Sequence, residues 1–160
     1  MSFGDTPGRE LGDPVPLRTR HGRRGLLLSV AQWYVVRHFP EDPSVPDADR
    51  RGPYKVSTTS YDYSILDEDE HELLAWQWDP RGKGTKPFPH LHIGAGVGAV
   101  HLGEMVEPLP VDKMHIPTGR VLVEDVIRSI IEEMGVEPLR SDWDTILRDN
   151  TEAFRRGRTW

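Results

Sequence analysis

The spacing of apolar residues changes character along the chain, and each change marks an element. Leu26 to Phe39 (LLLSVAQWYVVRHF) is rich in Leu, Val, Trp and Tyr, and its polar Ser29 and Gln32 do not fall at helical spacing. That composition predicts a strand, with a helix as the alternative. Tyr54 to Leu66 (YKVSTTSYDYSIL) alternates polar with apolar or aromatic residues, the pattern of a half-buried strand. Asp67 to Glu70 reads as a turn, and Glu72 to Asp79 (ELLAWQWD) as the returning partner of a hairpin. Pro40 to Pro53 contains four prolines and several acids and reads as a loop; Arg81 to Lys86 is a Gly-containing connection. Pro89 to Ile93 predicts a short strand. Side chains alternate along a strand, so Leu91 and Ile93 share a core-facing side and His90 and His92 the opposite, wetter side.

After Pro117 the period becomes helical. Val123, Val126, Ile127, Ile130, Ile131 and Met134 fall on one face, with Thr118 expected as the cap and Gly135 as a left-handed stop. A second helix is expected from a Ser141 cap, with Trp143, Ile146, Leu147 and Phe154 as its apolar stripe. Residues 1–24 mix Gly, Pro, Asp and Arg without period and read as a flexible tail; residues 25–160 read as one domain. The expected fold is α+β: a mostly antiparallel sheet of four or five strands, with two C-terminal helices packed on one face. The other face is expected to carry His90 and His92, together with Trp76 and Trp78.

Composition narrows the chemistry. A chain of 160 residues can bury a self-sufficient core, and with no cysteine it has no disulfide, thiolate ligand or thiol nucleophile. A formal net charge of −6 argues against tight nonspecific nucleic-acid binding, although arginines cluster at residues 18–24 and 155–158. No apolar run reaches membrane-spanning length, and MSFGDTPGRELGDPVP lacks the apolar segment of a signal peptide, so a cytoplasmic location is expected.

The chemistry-bearing residues concentrate between Pro87 and Arg120, where four of the seven histidines lie. Imidazoles at alternate strand positions stand about 6–7 Å apart and can share a divalent metal or divide acid and base work. His90 and His92 would need further ligands for a metal, with His115 the main candidate and His101 and Asp79 behind it. In HIPTGR, a helix capped by Thr118 would leave the amides of Gly119, Arg120 and Val121 to attract an anion. The Arg120 guanidinium would add a phosphate clamp, and His115 an acid or base. Trp76 and Trp78 are candidates for stacking on a base or sugar, although strand spacing favours cross-strand packing.

Motif comparisons sharpen this only in part. GTKPFPHLH resembles the opening of the cupin motif through Gly84, His90 and His92, but IGAGV follows where the cupin glutamate belongs. The histidine-triad hydrolase motif requires a third alternating histidine where Gly94 stands. Gly94, Gly96 and Ala99 fill the slots of a dinucleotide fingerprint, yet VHLGEMVEPLP after them has no helical period. YDYSILDEDEHELLAWQWDP followed by PFPHLHI resembles the core of TumE-type toxin components of bacterial toxin–antitoxin pairs, over Tyr61 to Ile93. The tighter histidine spacing and the long second helix depart from that pattern. HIPTGR and the helix after it also resemble uncharacterised bacterial proteins. The resemblance implies a growth-inhibiting component held by a cognate antitoxin. The expected function is action on RNA or a nucleotide through His90, His92 and His115 with Thr118, Gly119 and Arg120. The alternatives are a protein-interaction module and a cupin-like metal protein.

Overall fold

The computed structural model describes residues 6–20, 25–38, 54–81, 86–94, 97 and 114–157. Among these described residues, seven strands run in the order β1 (Thr6–Leu11), β2 (Val15–Leu17), β3 (Leu26–His38), β4 (Tyr54–Leu66), β5 (Glu72–Trp78), β6 (His90–Ile93) and β7 (His115–Pro117). Two helices follow, α1 (Val123–Glu132) and α2 (Trp143–Gly157). All strand pairings are antiparallel. The sheet order is β1-β3-β4-β5-β6-β7, with β2 also paired to β3.

The architecture is the expected α+β, but the sheet is larger than four or five strands. Two additional strands come from residues 6–17, within the stretch expected to form a flexible tail. Pro7 and Gly8 make β1 unreadable as a strand in isolation; an edge position tolerates them, because β3 supplies the ladder. The same N-terminal segment then meets the chain after α1, through the bridge of Thr19 with Val136 and the bond from Glu137 N to Arg18 O at 2.7 Å. The expected loop at 40–53 lies outside the described residues.

The hairpin of β4 and β5 forms as its alternation predicts, with Tyr61 opposite Trp78 and Tyr63 opposite Trp76. Asp67 closes its turn, accepting the amides of Asp69 and His71 at 2.9 Å each. Register carries one side of the sheet through Leu28, Tyr61, Tyr63, Ile65 and Trp78, and these residues pack with Val126, Ile130, Ile131 and Val136 in a single core. Ile65, Val126 and Ile130 are essentially inaccessible, each burial contributing about 1.5–3 kcal/mol. Trp143 of α2 packs against this cluster, and Arg128 of α1 bonds Asp144 of α2 at 2.6 Å.

Helix boundaries differ from the expected caps. α1 begins at Val123, with Leu122 at the cap position; the Asp125 carboxylate accepts the Leu122 amide at 3.1 Å. Thr118 is therefore not the cap. Gly135 does stop the helix in the left-handed region, at φ 71°, and Val136 N bonds back to Ile130 O. Before α2 the chain is held by Asp142, whose carbonyl accepts from Ile146 N and whose carboxylate grips Arg140 through two bonds of 2.9 Å. Ser141 stands one residue earlier.

Candidate active site on the polar face of the sheet

The side of the sheet away from the helices is polar because the strands alternate. Ser60, Asp62 and Ser64 alternate with Tyr61, Tyr63 and Ile65, and Gln77 lies between Trp76 and Trp78. Gln77 pairs with His90, Ala75 with His92, and His92 with His115. Partners across an antiparallel ladder project to the same side, so the three expected histidines share this face. Their rings stand in a row: His90 and His115 have centroids 4.9 Å apart, and His115 and His92 5.3 Å apart. His115 joins the pair from a distant part of the chain because β7 adds to β6.

Both β6 histidines are anchored at Nδ1. The Phe88 carbonyl lies 2.8 Å from His90 Nδ1, and the Glu72 carboxylate 2.6 Å from His92 Nδ1. Carbonyl and carboxylate oxygens only accept, so both Nδ1 atoms carry the proton and the neutral rings keep Nε2 as the basic nitrogen. His90 is buried at 6% exposure; His92 is half-buried.

Glu72 reaches this face through a backbone irregularity. Ile65 pairs with Leu74 and Leu66 with Glu72, so β5 carries one extra residue at Leu73. Strict alternation from Trp76 and Leu74 would turn Glu72 towards the helices; the bulge re-aims it. Gly94 secures the arrangement. Its amide donates to Leu73 O at 2.8 Å, and a Cβ there would collide with the Glu72 carbonyl.

Asp62 lies beside the histidine row. Ser64 Oγ donates to one of its oxygens at 2.8 Å and Gln77 Nε2 to the other at 3.0 Å. Burial pushes its carboxyl above the ordinary 3.8; the bond from Ser64 opposes this, the negative charge of Glu72 reinforces it, and Gln77 and His92 oppose it. A cleft of about 500 Å³ opens here, lined among others by Trp33, Ser60, Asp62, Gln77, Asp79, His90 and His115, with exposed Arg81 and Lys86 contributing two cations.

Of the remaining expected site residues, Trp78 also borders this cleft, and Trp76, Thr118, Gly119 and Arg120 do not line it. Trp76 and Trp78 occupy the helix side, opposite to expectation: Trp78 belongs to the core and Trp76 packs against it. The Arg120 guanidinium lies 3.8 Å over the Trp78 ring and lines a separate cavity of about 110 Å³ with Tyr61, Tyr63 and Phe154. The expected anion-binding amides are not a helix terminus. Thr118 N donates to Pro89 O at 2.9 Å, Val121 N donates to the Tyr61 hydroxyl at 3.0 Å, and Gly119 is exposed. The Thr118 hydroxyl is buried with no hydrogen-bond partner among the described residues. Arg120 and Thr118 are thus not assembled with the imidazoles.

Among the described residues, the group whose ligand atoms all lie within 4.8 Å of one another is Asp67, Asp69 and His71 in the exposed turn. His90, His92 and His115 do not gather their nitrogens in that way. Asp79 lines the cleft; His101, Gly84, Gly96 and Ala99 lie outside the described residues.

Sequence reasoning missed Glu72, Asp62, Gln77, Arg81 and Lys86. Asp62 had a signal, an acid at the centre of a half-buried strand whose neighbours Tyr61 and Tyr63 face the core. Glu72 had none, since the bulge reverses its side.

No protein-family model matches the chain, and neither does any curated protein or any solved structure. No helix among the described residues is long and apolar enough to cross a membrane.

Proposed function

We propose that this chain is a cytoplasmic, toxin-like component that cleaves RNA or a related nucleotide by acid–base catalysis between histidines. The observation that carries the reading is the row of three imidazoles beside a cleft bordered by Arg81 and Lys86. His90 and His115 line the cleft and divide the proton transfers. One accepts the 2′-hydroxyl proton as that oxygen bonds to phosphorus; the other protonates the 5′-oxygen as its bond to phosphorus breaks, leaving a 2′,3′-cyclic phosphate. Arg81 and Lys86 neutralise the phosphate, in place of Arg120, and Trp33 offers a stacking surface for a base. The resemblance of Tyr61 to Ile93 to TumE-type toxins supports growth inhibition as the consequence and a cognate antitoxin as partner.

The test is cleavage of single-stranded RNA by the purified protein and by folded His90→Ala, His115→Ala and Arg81→Ala/Lys86→Ala variants. Loss of about 10²–10⁴-fold is expected on removing an acid or base, with a weaker, salt-sensitive loss for the double cation variant. Full activity in both histidine variants would sink the reading. So would stoichiometric divalent metal retained through desalting, which would favour a metal-dependent hydrolase.

A further inference from the structure

Glu72 and His92 do not line the cleft, yet two backbone irregularities converge on them. The bulge at Leu73 turns Glu72 onto the polar face, and Gly94, where a side chain would strike the Glu72 carbonyl, holds that strand end against β6. The result is a 2.6 Å carboxylate–imidazole bond, with Glu72 and His92 each only partly exposed. The His92 ring in turn lies 5.3 Å from His115, tilted by 36°, and these two are direct cross-strand partners.

We infer that Glu72 is a positioning residue that acts on the cleft through His92. It fixes His92 as the Nδ1–H tautomer in one ring plane, and the fixed His92 ring holds His115 at the angle it presents to the cleft. This rests on the acid–base reading above, in which His115 touches the substrate and Glu72 does not. A carboxylate bond suits this role because it is short and directional, and it distinguishes the two ring nitrogens. Among the described residues, the groups facing His92 include Glu72 from β5, His115 from β7 and, across β5, Asp62 from β4. His90 stands two residues away on the same strand. Of these, Glu72 is the one bonded to Nδ1.

The experiment combines ¹⁵N NMR of the histidine rings with kinetics for wild type, Glu72→Ala and Glu72→Gln. In wild type at slightly alkaline pH, His92 should show a protonated Nδ1 and an unprotonated Nε2. Glu72→Ala should mix the tautomers of His92 and shift or broaden the His115 signals. It should also lower kcat about tenfold to a hundredfold, the scale of a small misplacement, with KM little changed. Glu72→Gln keeps an acceptor oxygen and should restore the tautomer and most of kcat. An unchanged His92 tautomer in Glu72→Ala, or undisturbed His115 signals, overturns the inference. Should Glu72→Ala fail to fold, a Glu72→Gln protein with wild-type kcat but mixed His92 tautomers overturns it equally. The ring signals report on Glu72 whether or not RNA is cleaved, so an inactive wild-type protein would end the catalytic reading and leave this inference to stand or fall on the spectra.

Discussion

The two sides of the sheet are made by the same strands, one residue out of phase, and they differ in what holds them. On the helix side, Tyr61, Tyr63 and Ile65 pack against Val126, Ile130 and Ile131, and the stabilisation is chiefly nondirectional removal of apolar area from water, with the tyrosine hydroxyls bonded to Val121 N and Gln32 Oε1 at the margin. On the polar side, Ser64, Asp62 and Gln77 form a short chain of bonds of 2.8 and 3.0 Å, and His92 is fixed by one carboxylate. Such bonds contribute about 1 kcal/mol each, because water is displaced to make them. The helix side supplies the stability that lets the polar side bury a carboxyl at a cost. Substitutions on the two sides should therefore fail differently: one by unfolding, the other by losing chemistry while staying folded.

The largest contrast is expected between Ile65→Ala and His90→Ala. The first opens a cavity at a fully buried site and should lower unfolding free energy by about 2–5 kcal/mol. The second removes one bond to the Phe88 carbonyl and should cost about 0.5–1.5 kcal/mol. Urea unfolding monitored by tryptophan fluorescence measures both, and equal losses would erase the distinction between the sides.

Gly94→Ala tests the seam between the strands. Its Cβ cannot fit against the Glu72 carbonyl unless backbone moves, so a loss of about 1–3 kcal/mol is expected, together with a displaced His92 signal. A normal melting curve with an unchanged His92 spectrum would show that the seam can relax freely.

Asp62 gives the comparison a pH dependence. Its folded-state pKa lies above the ordinary 3.8, chiefly through burial, so the folded protein holds this proton to higher pH than the unfolded chain does. Unfolding then releases a proton, and the contribution of this group to stability falls as pH rises from about 3.8 through the folded value. Asp62→Asn removes the titration. Relative to wild type it should gain stability as pH rises across that window and show no further change above it. Denaturation midpoints measured for both proteins from acid to neutral pH check the sign; a variant that loses ground to wild type with rising pH would reverse it.

The smallest effect is expected at Arg128, which bonds Asp144 at 2.6 Å and Glu132 at 3.2 Å on the exposed side of the helix pair. Arg128→Ala should lower the melting temperature slightly at low salt, and the difference should fade near about 1 M salt, where charges are screened within about 3 Å. A loss that persists at high salt would assign Arg128 a packing role over Trp143, whose ring centroid lies 5.5 Å away.

Local pattern determined a good part of this. Alternation in Tyr54–Leu66 and Glu72–Trp78 specifies a hairpin, and it separates Tyr61 and Tyr63 from Asp62 and Ser64 before any partner is known. The apolar period of Val123–Met134 and the stop at Gly135 specify a helix and its end, because both depend on residues within a few positions of one another. The two-residue spacing of His90 and His92 likewise places both on one face.

Only tertiary pairing decided the rest. β1 and β2 exist as strands because β3 offers an edge, and β7 brings His115 to His92 because β6 does the same. Thr118 lost its expected capping role because the helix starts later, at Val123, where the Asp125 carboxylate takes the Leu122 amide. Glu72 changed sides through a single inserted residue. Periodicity is a property of neighbours along the chain, whereas register, bulges and edges depend on partners tens of residues away, and the position of every imidazole relative to the next is set by those partners.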